Sequence, residues 1–135
     1  VKPEVLKKDL LYPEHSYELV GCAYDVFNEL GFGHHEKYYQ RAYAIALQSK
    51  KINFKEQVYY SLKFKEKIIG KQFFDFLIDE KIIIELKKDS RFSKKHIDQV
   101  LEYLRTANLK LAMLINFTRN GVIYKRIINI EEQAK

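Results

Sequence analysis

Residues 82–87 read Ile-Ile-Ile-Glu-Leu-Lys, and this short run constrains the fold more than any other part of the chain. Ile82-Ile83-Ile84 has no polar face, so a strand here must be covered on both sides. Just upstream, across Asp79-Glu80-Lys81, lies a second apolar run, Phe73-Phe74-Asp75-Phe76-Leu77-Ile78. A chain of 135 residues suits one domain, and 47% hydrophobic content is enough for its core.

The rest of the chain can be read by period. Residues 1–15 form an irregular lead-in. Ser16 is a good helix N-cap, with Glu18 in the first turn, where a negative charge meets the helix dipole. Leu19, Val20, Ala23, Val26, Phe27 and Leu30 then recur at spacings of three and four, one face of a helix. Gly31-Phe32-Gly33 stops it, and a second helix runs from about Glu36 to Ser49, with Tyr39, Ala42, Tyr43 and Ala46 on its buried side. The period then changes to two over residues 54–64. A polar turn at Lys65-Glu66-Lys67 leads to a strand over 68–78, with Gly70 a candidate bulge, and then to the strand over 82–87. Ser93 caps a third helix ending near Ala107, with Ile97, Val100, Leu101 and Leu104 inward. Residues 110–117 and 122–128 make two further strands. The order is α-α-β-β-β-α-β-β, an α/β domain over 16–130 with a short tail over 131–135. The helix between the third and fourth strands lets those two lie parallel through a crossover.

Composition narrows the function. Cys22 is the single cysteine, so an internal disulfide framework or a Cys-rich zinc site is excluded, and a reducing, cytoplasmic setting is the simplest expectation. No apolar run approaches the ~18 residues of a membrane span, and Val1-Lys2-Pro3-Glu4 does not read as a signal peptide. The formal charge is +6, and the excess is confined to residues 81–128, which alone carry +7. Such a region suits a polyanion such as nucleic acid, although solubility accounts for it about as well.

Asp75, Glu85 and Lys87 are charges placed where a core belongs, and such burial is costly without compensation. If residues 79–81 form the turn, Leu77 faces Ile83 and Asp75 faces Glu85, with Lys87 further along the same face. Two opposed carboxylates destabilise a sheet. A hard divalent cation removes the conflict and leaves coordination positions for phosphate oxygens and water. Lys87 beside it could orient that water or stabilise developing negative charge. A simple ion pair at a strand end would produce the same pattern, and a shifted register would uncouple Asp75 from Glu85.

The ordered set of residues resembles a known family. Asp75 followed by Glu85-Leu86-Lys87, on a hairpin flanked by helices, resembles the PD-(D/E)XK nuclease superfamily. Gly33-His34-His35-Glu36-Lys37-Tyr38-Tyr39 fits Gly-x-x-Glu-x-x-Tyr, the signature of the small GxxExxY proteins within it. The Glu-Gln-Val around Gln57 and the Leu-Ile-Asn-Phe of residues 114–117 extend the likeness over about residues 16–130. The resemblance implies a restriction-endonuclease-like mixed sheet between helices and a Mg²⁺- or Mn²⁺-dependent nuclease using metal-activated water. It implies that Asp75, Glu85, the Leu86 carbonyl and Glu36 hold metal, and that Lys87 is the catalytic lysine. It also likens Gln99 and Tyr103, at i,i+4 on one helix face, to a Gln-x-x-x-Tyr element that positions the strand. The proline of the family's name is absent, since Phe74 precedes Asp75.

Lys88, Arg91, Lys94, Lys95 and His96 follow the Glu85 strand closely enough to hold a nucleic-acid backbone, with DNA favoured over RNA. His34 and His35 are adjacent and do not make a zinc pair. Cys22 reads as a small apolar residue. The alternative function is a non-catalytic domain binding nucleic acid or protein on the same scaffold. Cleavage of both strands of a duplex would call for a homodimer, for which the sequence marks no interface.

Overall fold

The computed structural model describes residues 11–130. Most of the expected lead-in and the 131–135 tail lie outside the described residues. The first helix, α1 (Pro13–Leu30), opens earlier than expected. Pro13 takes the first helical position, where its missing N–H costs nothing, and Tyr12 before it sits at φ 53 with no side-chain cap. Ser16, the expected cap, lies within the helix, buried, and its hydroxyl accepts from Arg126 Nε at 3.3 Å. Residues 13–15, expected in the lead-in, are therefore helical. Gly31 closes the helix at φ 72 and ψ −163, backbone that glycine alone adopts readily.

α2 (Glu36–Ser49) has the expected bounds, and Tyr39, Tyr43 and Ala46 are buried as their spacing predicts. Its cap is His35, whose Nδ1 accepts from the Lys37 N–H at 3.1 Å. The Tyr39 hydroxyl donates to the Gly31 carbonyl at 2.6 Å, and the Tyr43 hydroxyl donates to the Leu19 carbonyl at 2.8 Å. These bonds tie α2 to α1 and to its C-terminal turn.

Five strands follow: β1 (Phe54–Phe64), β2 (Lys67–Ile78), β3 (Ile82–Lys87), β4 (Leu111–Thr118) and β5 (Gly121–Ile128). They form one sheet in the order β1-β2-β3-β4-β5. Neighbours are antiparallel except β3 and β4, which run parallel and are joined by α3 (Lys94–Ala107). Ser93 caps α3 as expected, its hydroxyl accepting from the His96 N–H at 2.9 Å. The bulge falls beside Gly70 rather than on it: Leu62 pairs with Gly70 and Lys63 with Ile68, so Ile69 is the extra residue.

Helices cover both faces of the sheet. Leu19, Tyr39, Tyr43 and Leu47 of α1 and α2 pack with Phe76, Ile84 and Met113 on one side. Val100, Tyr103 and Leu104 of α3 pack with Ile83, Ala112 and Leu114 on the other. Ile82, Ile83 and Ile84 are all buried, which is why the run has no polar face. Cys22 is buried too, and burial pushes its thiol up to about 11, so it is an inert packing residue.

The β1–β2 turn is a two-residue loop with Lys65 at φ 50 and Glu66 at φ 66. This conformation matches the twist of the hairpin but costs L-residues roughly 1 kcal/mol each. Replacing Lys65→Asn and Glu66→Gly together should raise the unfolding free energy by about 1 kcal/mol. The gain would be read as a higher urea midpoint at unchanged slope. A lower midpoint would show that the two native side chains make compensating contacts.

Candidate active site at a strand fork

β2 and β3 pair in the register the turn predicts, through Ile78 with Ile82, Leu77 with Ile83 and Phe76 with Ile84. Asp75 and Glu85 come next, and there the backbone ladder stops. β3 stays paired with β4 as far as Lys87 and Asn116, so β2 and β3 part like a fork. The β1 ladder also skips this point: Glu56 pairs with Phe76 and Val58 with Phe74, while Gln57 between them turns to φ 52.

The two carboxylates take the place of the missing backbone acceptors. The Asp75 N–H donates to Glu85 Oε1 at 3.0 Å, and the Leu86 N–H donates to Asp75 Oδ2 at 2.7 Å. Gln40 of α2 donates to Asp75 Oδ1 at 2.9 Å. Each acid therefore grips the other strand. Burial is the main force raising the Asp75 carboxyl, to about 6, against the Leu86 N–H and the Lys87 charge, which pull it down. Burial also raises Glu85, to about 8, and the Asp75 charge adds to it.

Glu85 and Lys87 open into a cleft of about 270 Å³, walled also by Lys71, Phe73, His96 and Gln99. Gln99 is thus on the cleft wall with Glu85 and Lys87. Tyr103, one turn on, does not line this cleft: it is buried, stacked on Phe74 and edge-on to Tyr60. It belongs to the core behind the site, because the same helix must bury an apolar stripe against β4. Glu36, half-buried at the start of α2, accepts from the Lys88 N–H at 3.3 Å, and its charge helps raise both acids. The Leu86 side chain is buried in the opposite core, so only its backbone reaches the fork.

The basic residues are placed less uniformly than expected. Lys88 Nζ donates to the His34 carbonyl at 3.1 Å, which ties β3 to the turn before α2. Lys94 pairs with Asp98 at 2.8 Å along α3. Arg91 and Lys95 are exposed.

The sequence does not mark Gln40, one of the residues at the site. Gln40 follows Glu36 by four residues, the same spacing that pairs Gln99 with Tyr103, and that spacing is a usable signal. His96 precedes Gln99 by three. Its Nε2 is buried without a hydrogen-bond partner, 4.0 Å from Glu85 Oε2, and burial and the Lys87 charge lower its affinity for a proton. Asn116 donates to the Asp89 and Arg91 carbonyls at 3.2 Å each, which fastens the β3–α3 loop to β4. Only the register with β3 places it there.

Among the described residues, no three or more His, Cys, Asp or Glu side chains converge as a closed metal cage. The donor set instead fits a hard cation of the Mg²⁺ class, which needs one or two carboxylates and takes its other ligands from water and phosphate. Two buried acids that each resist ionisation are the chemistry such a cation relieves.

The raised acids give a sign for pH dependence. Both bind protons more tightly folded than unfolded, so without divalent ions they favour folding at low pH. That contribution falls as pH rises from the ordinary carboxylate range to about 8. Melting curves of the EDTA-treated protein should show this fall, and Glu85→Gln should flatten it. Mn²⁺ should raise the melting temperature of the native protein more at pH 8 than at pH 5. An identical pH slope in Glu85→Gln would remove the assignment.

Comparison with solved structures agrees with the fold. The chain is similar to the crystal structure of SSO0001, with a TM-score of 0.56 and 18% identity over 73% of this chain and 52% of that one. It therefore spans about half the length of that protein. It is also similar to an alkaline exonuclease, LHK-Exo, from Laribacter hongkongensis, with a TM-score of 0.53 and 9% identity over 92% of this chain and 73% of that one. Comparison with curated protein sequences finds no match. The family model of the PD-(D/E)XK nuclease superfamily matches residues 13–128. The match takes in the fork, its acids and its lysine, and the chain belongs to the PD-(D/E)XK nuclease superfamily.

Proposed function

We propose that this protein is a Mg²⁺- or Mn²⁺-dependent nuclease that hydrolyses phosphodiester bonds, DNA in preference to RNA, in a cytoplasmic setting. The observation that carries this reading is the meeting of Asp75, Glu85 and Lys87 at the point where β2 and β3 separate, with Glu85 and Lys87 lining a cleft. Gly33, Glu36 and Tyr39 support a place among the GxxExxY proteins.

Asp75 and Glu85 would hold the cation, with the Leu86 carbonyl and Glu36 as further oxygen donors. When bound, the cation supplies charge neutralisation at phosphorus and lowers the pKa of water. Lys87 presents a charged donor to the attacking water or to the oxygens that gain charge in the transition state. Gln99 holds the strand across the cleft, while Tyr103 fixes the helix that carries Gln99. Gln40 keeps the Asp75 carboxylate aimed, because its amide occupies one of the two carboxylate oxygens. Arg91 and Lys95 meet the nucleic-acid backbone.

The test is cleavage of single- and double-stranded DNA and RNA with Mn²⁺ and with EDTA. Cutting should need the metal and be lost in Glu85→Ala. Lys87→Ala should lower kcat by about a hundredfold or more with little change in KM. Gln40→Ala should cost roughly tenfold in metal affinity or rate. Cutting that survives EDTA or Glu85→Ala would sink the proposal. Absence of cutting with salt-sensitive binding intact would leave a non-catalytic nucleic-acid-binding domain.

A further inference from the structure

β2 is paired with β3 over three positions only, and β1 is the edge strand. Beyond Gln57 and Asp75 the β1–β2 hairpin therefore continues as a two-stranded ribbon with no third strand beside it among the described residues. Such a ribbon should blunt itself with charge, and residues 58–73 do carry four lysines and one glutamate. They also expose large apolar groups. Phe64, Ile68 and Ile69 sit at the tip, while Tyr59 and Phe73 lie at the base, 52% and 59% exposed.

The base is the informative end. Tyr59 and Phe73 are cross-strand partners, with ring centroids 5.6 Å apart and planes inclined by 34°. Lys71 Nζ lies 5.6 Å from the Tyr59 ring centroid. Phe73 and Lys71 are also walls of the cleft that holds Glu85 and Lys87. Phe73 is two residues from Asp75 along β2, ~7 Å of strand. A pair of exposed rings with an ammonium over one of them, continuous with a cleft built for phosphate, matches the two demands of an unpaired nucleotide strand. Its bases offer π-faces, and its backbone offers one negative charge per nucleotide. A duplex hides its base faces and could use the lysine alone.

We infer that Tyr59, Phe73 and Lys71 form a stacking platform for single-stranded nucleic acid leading into the fork. This rests on the nuclease reading and deepens it by naming the substrate form: a strand whose bases are unpaired next to the scissile phosphate. Tyr59 and Phe73 stack on bases, and Lys71 contacts the phosphate between them and the cleft.

The experiment is fluorescence anisotropy of the full chain in EDTA, with a labelled oligothymidylate and with its duplex. Tyr59→Leu combined with Phe73→Leu keeps apolar bulk on the strand but removes both π-faces, and circular dichroism would check that it folds. This variant should weaken single-strand binding by about tenfold and duplex binding by less than twofold. Tyr59→Phe should bind as the native protein does. Lys71→Gln should reduce the salt dependence on both ligands. Equal losses on single strand and duplex, or no loss on either, would overturn the platform. So would a change confined to self-association in sedimentation velocity, which would make the ribbon a protein interface. Platform-dependent single-strand binding without Mn²⁺-supported cleavage would overturn the nuclease reading alone. Cleavage with unchanged strand preference in the double variant would overturn the platform alone.

Discussion

Two hydrogen bonds between strands that have ceased to be a ladder hold the site together. The Asp75 N–H binds the Glu85 carboxylate, and the Leu86 N–H binds the Asp75 carboxylate. A backbone group buried without a partner is costly, and so is a buried carboxylate. Here each defect answers the other. The strands can diverge because side chains satisfy the donors that divergence strands, and the acids can sit inside because those donors receive them. The remaining electrostatic conflict, two acids side by side, is what keeps the pair receptive to a cation.

The helices make this arrangement durable. β4 is buried along its whole length, and β3 is anchored to it through Lys87, so the strand that carries Glu85 and Lys87 stands on a fully buried neighbour. α2 then reaches the fork from one side with Glu36 and Gln40, and α3 from the other with His96 and Gln99. Both helices meet the sheet through ordinary apolar stripes. The polar residues that matter lie at their N-terminal turns or at the edge of those stripes, where the sheet stops and the cleft begins.

Element order, the parallel β3–β4 pair and the opposed acids were legible because they rest on period, turn chemistry and register, which are local. Asp75 and Glu85 stood out as charges inside apolar strands, a conflict that composition alone exposes. Ser16 misled because a hydroxyl ahead of an apolar stripe looks like a cap. Its partner, Arg126, comes from the far end of the chain and cannot be seen locally. Tyr103 misled because spacing places two residues on one helix face without saying where the buried stripe ends. Asn116 and His96 lie in runs the sequence marks, but what they touch depends on which strands and loops end up side by side.

The ribbon beyond Gln57 and Asp75 touches the rest of the molecule mainly at its base. Beyond Tyr60 and Phe74, which pack on α3, lengthening it, shortening it or recolouring its surface leaves the fork and both cores undisturbed. In an evolving lineage such an arm is free to drift at nearly neutral cost to folding, while each change alters what can lie against the cleft. Substrate range in this architecture can therefore diversify faster than its chemistry.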